Sequence, residues 1–395
     1  MHIPWDPYSD QPIHFKDKAY KKKARLKHKD DILISLFTII PIYPLMLLRN
    51  LFGHKKRAVN LQHFFGMSVN LDKLPDLSAS LISEIGIKEI LIRVPLSDTA
   101  NIERYACFAA KFPQCDILFN VLQDRAHSVD PELLKKDITT IFKALSPYSK
   151  RFQIANAINR LKWGFVLPKE FLLFFQTVHQ VRNQTFHDIK LIGPSVIDFE
   201  YHVTIRTLFN FFKFKYDGFS SLLYVDRRGA PENKQGIFNL VGKINLMRSL
   251  ISLTSKKTSD DFYITETNYP IAHTRPYSPT SLAESVDEKT FMNYMVRYYL
   301  LALATTQVKT VYWHQLISPG FGLIDHRYGA TKRDAFDAFK YMFAVLKEQT
   351  FISHKQNDSL HILEFLSSQE HLYIVCSEKT DTYITPQNFK RYDIL

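Results

Sequence analysis

From residue 61 onwards the chain alternates short β-branched apolar runs with longer helical stretches, eight times over. Nothing else in the sequence limits the available folds so strongly. The runs cover 63–69, 88–96, 115–122, 152–156, 189–195, 218–225, 262–266 and 310–314. Helical patterns follow at 77–85, 101–112, 131–145, 168–183, 202–214, 237–254, 288–305 and 331–347. Strands apolar along their whole length belong to parallel sheets with helices on both faces. Eight such units in roughly 285 residues is the count and length of a (β/α)8 barrel. A doubly wound open sheet competes with it, but would want a glycine-rich turn after the first strand. That turn reads Asn70-Leu71-Asp72-Lys73-Leu74-Pro75, without a glycine. The expected fold is therefore α/β, a TIM barrel over residues 58–348. An arm (1–57) precedes it, and a small β appendage (349–395) follows. In the appendage, 360–366, 371–377 and 382–385 read as three short antiparallel strands.

Composition narrows the chemistry by exclusion. With 46% hydrophobic and 23% charged residues the chain can bury a large core. Three cysteines, Cys107, Cys115 and Cys376, form no CxxC pair, which argues against a disulfide framework or a thiolate zinc site. They read as buried small hydrophobes. No phosphate-cradling glycine loop, metal-ligand spacing or GxSxG elbow occurs, so neither cofactor nor metal is expected.

The charge is concentrated at the start. Residues 1–57 hold 12 Lys and Arg against 5 Asp and Glu, so +7 of the net +12 sits on one seventh of the chain. Basic clusters at 21–29 and 49–57 bracket the uncharged run 32–48. The run is only 17 residues long, at the lower limit for a spanning helix, and Pro41 and Pro44 are expected to break it. Two basic flanks suit a segment dipping into one leaflet with both flanks on anionic headgroups. A true anchor and a helix packed on the main domain are the alternatives. The expected partner of residues 21–57 is thus an anionic membrane surface, at the cytoplasmic face of a bacterial inner membrane. Nucleic acid is not expected, because apolar bulk rather than interleaved aromatics separates the cations.

In such a barrel, function gathers where strands end and βα loops begin. The polar residues there are Arg93, Asn156 with Asn159 and Arg160, Tyr224, Asp226, Glu266, and Trp313 with His314. Glu266 closes an apolar strand; near Arg93 and Tyr224 it would stay ionised and could attack an anomeric carbon. A structural ion pair with Arg93 is the plainer reading. The run Asn159-Arg160-Leu161-Lys162-Trp163 adds two cations and an indole, suited to an anionic sugar or, equally, to a loop tied down by salt bridges.

These segments together resemble the clan of retaining glycoside hydrolases built on a (β/α)8 barrel, nearest the family 39 type. The carriers are Ile92-Arg93-Val94, Gln153-Ile154-Ala155-Asn156, Ile192-Gly193-Pro194-Ser195, Leu223-Tyr224-Val225-Asp226, Ile264-Thr265-Glu266 and Tyr312-Trp313-His314-Gln315. The resemblance implies an oligosaccharide or polysaccharide substrate, with Glu266 as nucleophile and Asn156 on the sugar 2-hydroxyl. It further implies Arg93 and Tyr224 beside the nucleophile and Trp313 as the floor of the sugar subsite. The clan puts its acid/base glutamate directly after the asparagine, where this chain has Ala157. Retaining hydrolysis uses two carboxyl groups about 5–5.5 Å apart, and alanine supplies none. A substitute acid (Glu200, Asp226 or His314), a substrate with a good leaving group, or a barrel that only binds glycans would each accommodate that change.

Overall fold

The computed structural model describes residues 3–13, 15–278, 282–368, 370–379 and 390. The eight apolar runs are strands β1 (Phe65–Val69), β2 (Glu89–Pro95), β3 (Asp116–Leu122), β4 (Arg151–Ile154), β5 (Lys190–Ile197), β6 (Gly218–Leu222), β7 (Phe262–Thr267) and β8 (Thr310–Trp313). All pair in parallel, each with its chain neighbour, and β8 pairs back on β1 through Val311 and Phe65 to close the cylinder. At the seam Gly66 is obligatory: a Cβ there would lie 2.5 Å from the Tyr312 ring.

Alternation along the strands sorts side chains between two environments. Leu91, Leu118, Ile192, Tyr263 and Tyr312 cluster together as an interior layer, separate from the outer core in which Ile90, Ile92 and Val94 take part. Below that layer Glu89 is buried, and its Oε2 accepts from Arg151 (2.8 Å) and the Tyr312 hydroxyl (2.6 Å). Above it, Asn120 and Gln153 bond to each other and begin the polar floor of the mouth. Apolar filling thus separates two polar ends, and the upper one carries the site.

The barrel helices lie close to the ranges read from periodicity, from Pro75–Ile85 after β1 to Asp334–Leu346 after β8. The helix after β5 is shorter than expected: Tyr201–Leu208 ends where Asn210 folds back to bond Thr207 and the Phe212 amide.

The arm is two helices, α1 (Lys18–Lys27) and α2 (Lys29–Leu51), preceded by a two-residue ladder pairing Trp5–Asp6 with Gln11–Pro12. Contrary to expectation, α2 runs straight through Pro41 and Pro44. Both prolines sit on its exposed side, so the carbonyls of Phe37 and Ile40 that lose their donors face away from the core. The opposite face packs on the helices Tyr201–Leu208 and Leu240–Leu253. There Asp31, fully buried, takes Arg206 Nε (2.9 Å) and Nη2 (2.8 Å), Met46 is buried, and Tyr43 stacks on Tyr201.

The C-terminal sheet has three strands, Thr350–Asn357, Leu360–Leu366 and His371–Ser377, in that order. Its first strand is the segment that leaves the last helix, whose polar alternation hid it; 382–385 lies outside the described residues. The cysteine reading also needs correction, since Cys107 is exposed and Cys115 and Cys376 are only partly buried.

Candidate functional site

A cavity of about 540 Å³ opens at the C-terminal ends of the strands. Of the residues expected there, Arg93, Asn159, Arg160, Trp163, Tyr224, Glu266 and His314 line it. Glu266, near the end of β7, is 8% exposed. The Tyr224 hydroxyl donates to its Oε1 (2.7 Å) and Asn156 Nδ2 to its Oε2 (3.3 Å).

Asn156 stands behind the cavity wall, and its amide is oriented by what surrounds it. Its Oδ1 accepts from Asn120 (3.2 Å), which leaves Nδ2 for Glu266. Gln123 grips its backbone on both sides, accepting from the N–H (2.9 Å) and donating to the carbonyl (2.8 Å). The flanking alanines, Ala155 (φ 73°) and Ala157 (φ 44°), are both left-handed. Non-glycine residues there store about 1–3 kcal/mol each and persist only where the surroundings over-determine them. Here the strain turns one amide toward one carboxylate.

Burial pushes the Glu266 carboxyl up, but the neighbouring charges and the Tyr224 and Asn156 hydrogen bonds outweigh it and hold it below the usual range. His314 takes part only when protonated. Burial pushes His314 down to about 4, so near neutral pH it is uncharged and the lowering rests on Arg93 and the two donors. For the same reason His314 cannot act as a protonated acid at neutral pH. Its ring lies flat on Phe321, 5.4 Å between centroids, and its Nδ1 is 3.3 Å from Ser68 Oγ.

Arg93 is buried, with its guanidinium near both Trp5 (5.8 Å) and Trp163 (5.6 Å). Its Nη1 donates to the Asp10 carbonyl (2.9 Å) and it acts on Glu266 through charge, not as the direct ion pair considered above. Asp10 in turn holds Lys73 (2.9 Å) and Gln315 (2.5 Å). Residues 9–11 therefore form a wall of the cavity. Helix α1 extends that wall with Lys21 and Arg25 and is pinned by the Tyr20 hydroxyl, which accepts from Arg125 Nε (3.0 Å).

Several expectations for individual residues need correction. Trp313 is not a subsite floor: it is fully buried among Tyr269, Phe291, Tyr298 and Tyr299, because strand alternation turns it outward while His314 turns in. Asp226 does not line the cavity; its charge acts on Lys243. Glu200 is occupied by Arg160 Nη1 (2.5 Å), while Arg160 Nη2 holds Asp198 (2.7 Å), so this arginine is a loop clamp. Asn159 is spent on the backbone of Ile197, accepting from its N–H (2.9 Å) and donating to its carbonyl (3.0 Å). Ala157 is buried against Leu122, Trp163, Leu222 and Tyr224, an apolar nest without a second carboxyl.

The contributions of Asp10, Gln11, Lys21, Arg25, Gln123 and Phe321 were not foreseen. For Lys21 and Arg25 the only signal was the basic patterning of the arm, which had pointed to headgroups.

At the far end of the barrel His63 Nδ1 lies 3.0 Å from both Glu89 and Asp116, close enough for the three to share a cation. Arg151 and Tyr312 both bond Glu89 Oε2 while Oε1 faces His63, so the cluster already stands as an ion-paired group without a metal.

Neither a protein-family model nor a curated protein sequence matches the chain. Solved structures do. A family 39 glycoside hydrolase from the gut symbiont Bacteroides cellulosilyticus WH2 superposes with TM-score 0.62 at 16% identity, over 82% of this chain and 72% of that one. A family 30 endoxylanase from Clostridium papyrosolvens C71 gives 0.55 at 11% identity, over 82% and 83%. A family 39 enzyme from Xanthomonas axonopodis pv. citri gives 0.53 at 12%, over 79% and 73%. The chain thus has the barrel fold of these glycoside hydrolases.

Proposed function

We propose that this chain is a glycoside hydrolase-like protein acting on a cell-surface polysaccharide or a lipid-linked glycan, with Glu266 as the nucleophile. One observation carries the reading: a buried carboxylate, kept ionised and aimed by Tyr224 and Asn156, at the wall of a sugar-sized cavity on this fold. In a retaining mechanism its oxygen would bond the anomeric carbon as the glycosidic oxygen leaves with the bonding electrons, and water would then release the sugar. Arg93 and Trp163 would stand at the sugar's edge and face.

A second reading has its own support. The groups around Glu266 are Arg93, Tyr224, Asn156 and the uncharged ring of His314, none of them a carboxylic acid. General acid help is worth about 10²–10⁴-fold. On this reading the barrel binds glycans without turning them over, and Glu266 is a ligand contact.

Activated aryl glycosides decide between the two, because their leaving group needs no protonation. The nucleophile reading expects measurable turnover by the wild type and its loss in Glu266→Ala, with partial rescue by azide. Equal rates in the two proteins remove the assignment.

The reading includes docking on an anionic membrane, at the cytoplasmic face of a bacterial inner membrane. Helix α2 is long and apolar enough to cross a bilayer. Its Leu33, Leu36, Phe37, Ile40 and Leu48 are exposed along one side, while the other side is held to the barrel by the Asp31–Arg206 pair. That arrangement favours lying in the interface over spanning. Lysines of α1 before the strip, and residues 55–57 after it, supply the charge that complements anionic headgroups.

A further inference from the structure

Among the described residues, the walls of the cavity carry six cations and three carboxylates: Lys21, Arg25, Arg93, Arg160, Lys162 and Arg228 against Asp10, Asp198 and Glu266. The pairing is unequal. Arg160 and Arg228 share Asp198, at 2.7 and 3.2 Å, and Arg160 is also paired with Glu200 just outside the lining (2.5 Å). Asp10 is taken by Lys73. Glu266 answers Arg93 through space, yet Arg93, itself 2% exposed, keeps its Nε without a partner among the described residues. Lys162 bonds only the neutral Gln11 side chain, and neither it, Lys21 nor Arg25 has a carboxylate within ion-pair distance among the described residues. The two sides of the surplus come from chain segments about 140 positions apart, so no single solvated charge run explains it.

We propose that this surplus is an anion subsite, and that the glycan taken by the cavity carries a phosphate or carboxylate group, which Lys162 holds together with Lys21 and Arg25. The inference rests on the glycan reading above and names the substrate class of the same cavity. Two features make the arrangement costly without an occupant, and a third suits a sugar. The Lys162 ammonium loses hydration and is offset only through space, by the carboxylates of Glu266 and Asp6. Burial accordingly lowers the Lys162 pKa to about 8. Like charges converge on one space, which an anion between them would relieve. Trp163 and Phe15 flank the same volume and supply faces for a sugar ring. Charge-assisted hydrogen bonds contribute about 1.5–3 kcal/mol each, roughly ten- to a hundredfold in affinity.

Tryptophan fluorescence of the full chain reads binding directly, since Trp163 lines the site and Trp5 packs against it. Four probes are titrated at low salt: D-glucose, D-glucuronate, glucose 1-phosphate and inorganic phosphate. The expected result is at least tenfold tighter binding of the anions than of glucose, weakened by added salt. Lys162→Met should reduce that preference to within about twofold, and Lys162→Arg should keep it, with unchanged circular dichroism in both. Preference for glucose 1-phosphate or for glucuronate identifies the anion as phosphate or carboxylate. Equal binding of glucose and the anions overturns the proposal, as does a preference that survives in Lys162→Met, or no anion response up to tens of millimolar. The readouts separate the two claims: Glu266-dependent aryl glycoside turnover without anion preference leaves the nucleophile standing and removes the subsite. Anion preference without turnover does the reverse.

Discussion

At the scale of single residues the site is a matter of directing three side chains. Glu266 is ionised because Tyr224 and Asn156 donate to it and Arg93 stands near, against a burial that pushes the other way. Tyr224→Phe removes one donor, so the carboxyl pKa should rise. The acid limb of the rate profile on aryl glycosides should then move to higher pH, which a kcat/KM profile against pH would measure. Lys162 sets the opposite limb of anion binding. Charged below about 8, it should hold glucuronate, whose own charge is fixed from pH 6 to 10, with constant affinity in the acid direction and release it as pH rises through and above that value. Its neighbours are the neutral Gln11, the cation of Arg160 and the carboxylates of Asp6 and Glu266. The fluorescence titration repeated from pH 6 to 10 checks it, and an affinity flat across pH 8 would contradict it. The strand-end position of Glu266 was legible in the sequence because an apolar run that stops on a carboxylate is a local signal. The isolation of Ala157 in an apolar nest was not, since Leu122 and Leu222 come to it from other strands of the barrel.

At the scale of elements, two ion pairs hold pieces together in ways that stability measurements can read. Asp31 and Arg206 are both nearly inaccessible and join α2 to the barrel. Asp31→Ala leaves a guanidinium buried and unpaired, and should cost about 3–5 kcal/mol by urea denaturation. At the barrel base, the Glu89 hydrogen bond raises the His63 pKa above its ordinary value. A histidine raised in the folded state stabilises it while protonated in both states. That contribution should be complete below about pH 6.5 and fade as pH rises through the raised folded value. His63→Gln should remove this slope from the stability curve between pH 6 and 9. Strand positions were readable because apolar runs are local. The facing of Trp313 was not: a strand-end tryptophan fits either side of the sheet, and only the cage of Tyr269, Tyr298 and Tyr299 decides it.

At the scale of the whole molecule, the N-terminal arm does two things at once: it walls the cavity with Ser9, Asp10, Gln11, Phe15, Lys21 and Arg25 and presents an apolar strip 33–48 to the outside. Deleting residues 1–57 would therefore strip the site as well as the strip, and cannot isolate docking. Phe37→Asp with Ile40→Asp changes exposed positions only. The double variant should lose co-sedimentation with vesicles containing anionic lipid while keeping its fold and its sugar binding. Unaltered co-sedimentation would defeat membrane docking through this face.

The sequence by itself determined the eightfold alternation, the barrel class and the concentration of charge in the arm, because periodicity and composition are properties of neighbouring residues. Tertiary structure alone decided which polar groups meet. Asp10 reaches Gln315, Asp31 reaches Arg206 and Gln11 reaches Lys162 only once the cylinder closes and the arm folds back on it. Such long-range pairings depend on burial and on the facing of each side chain, quantities that no local pattern of residues encodes.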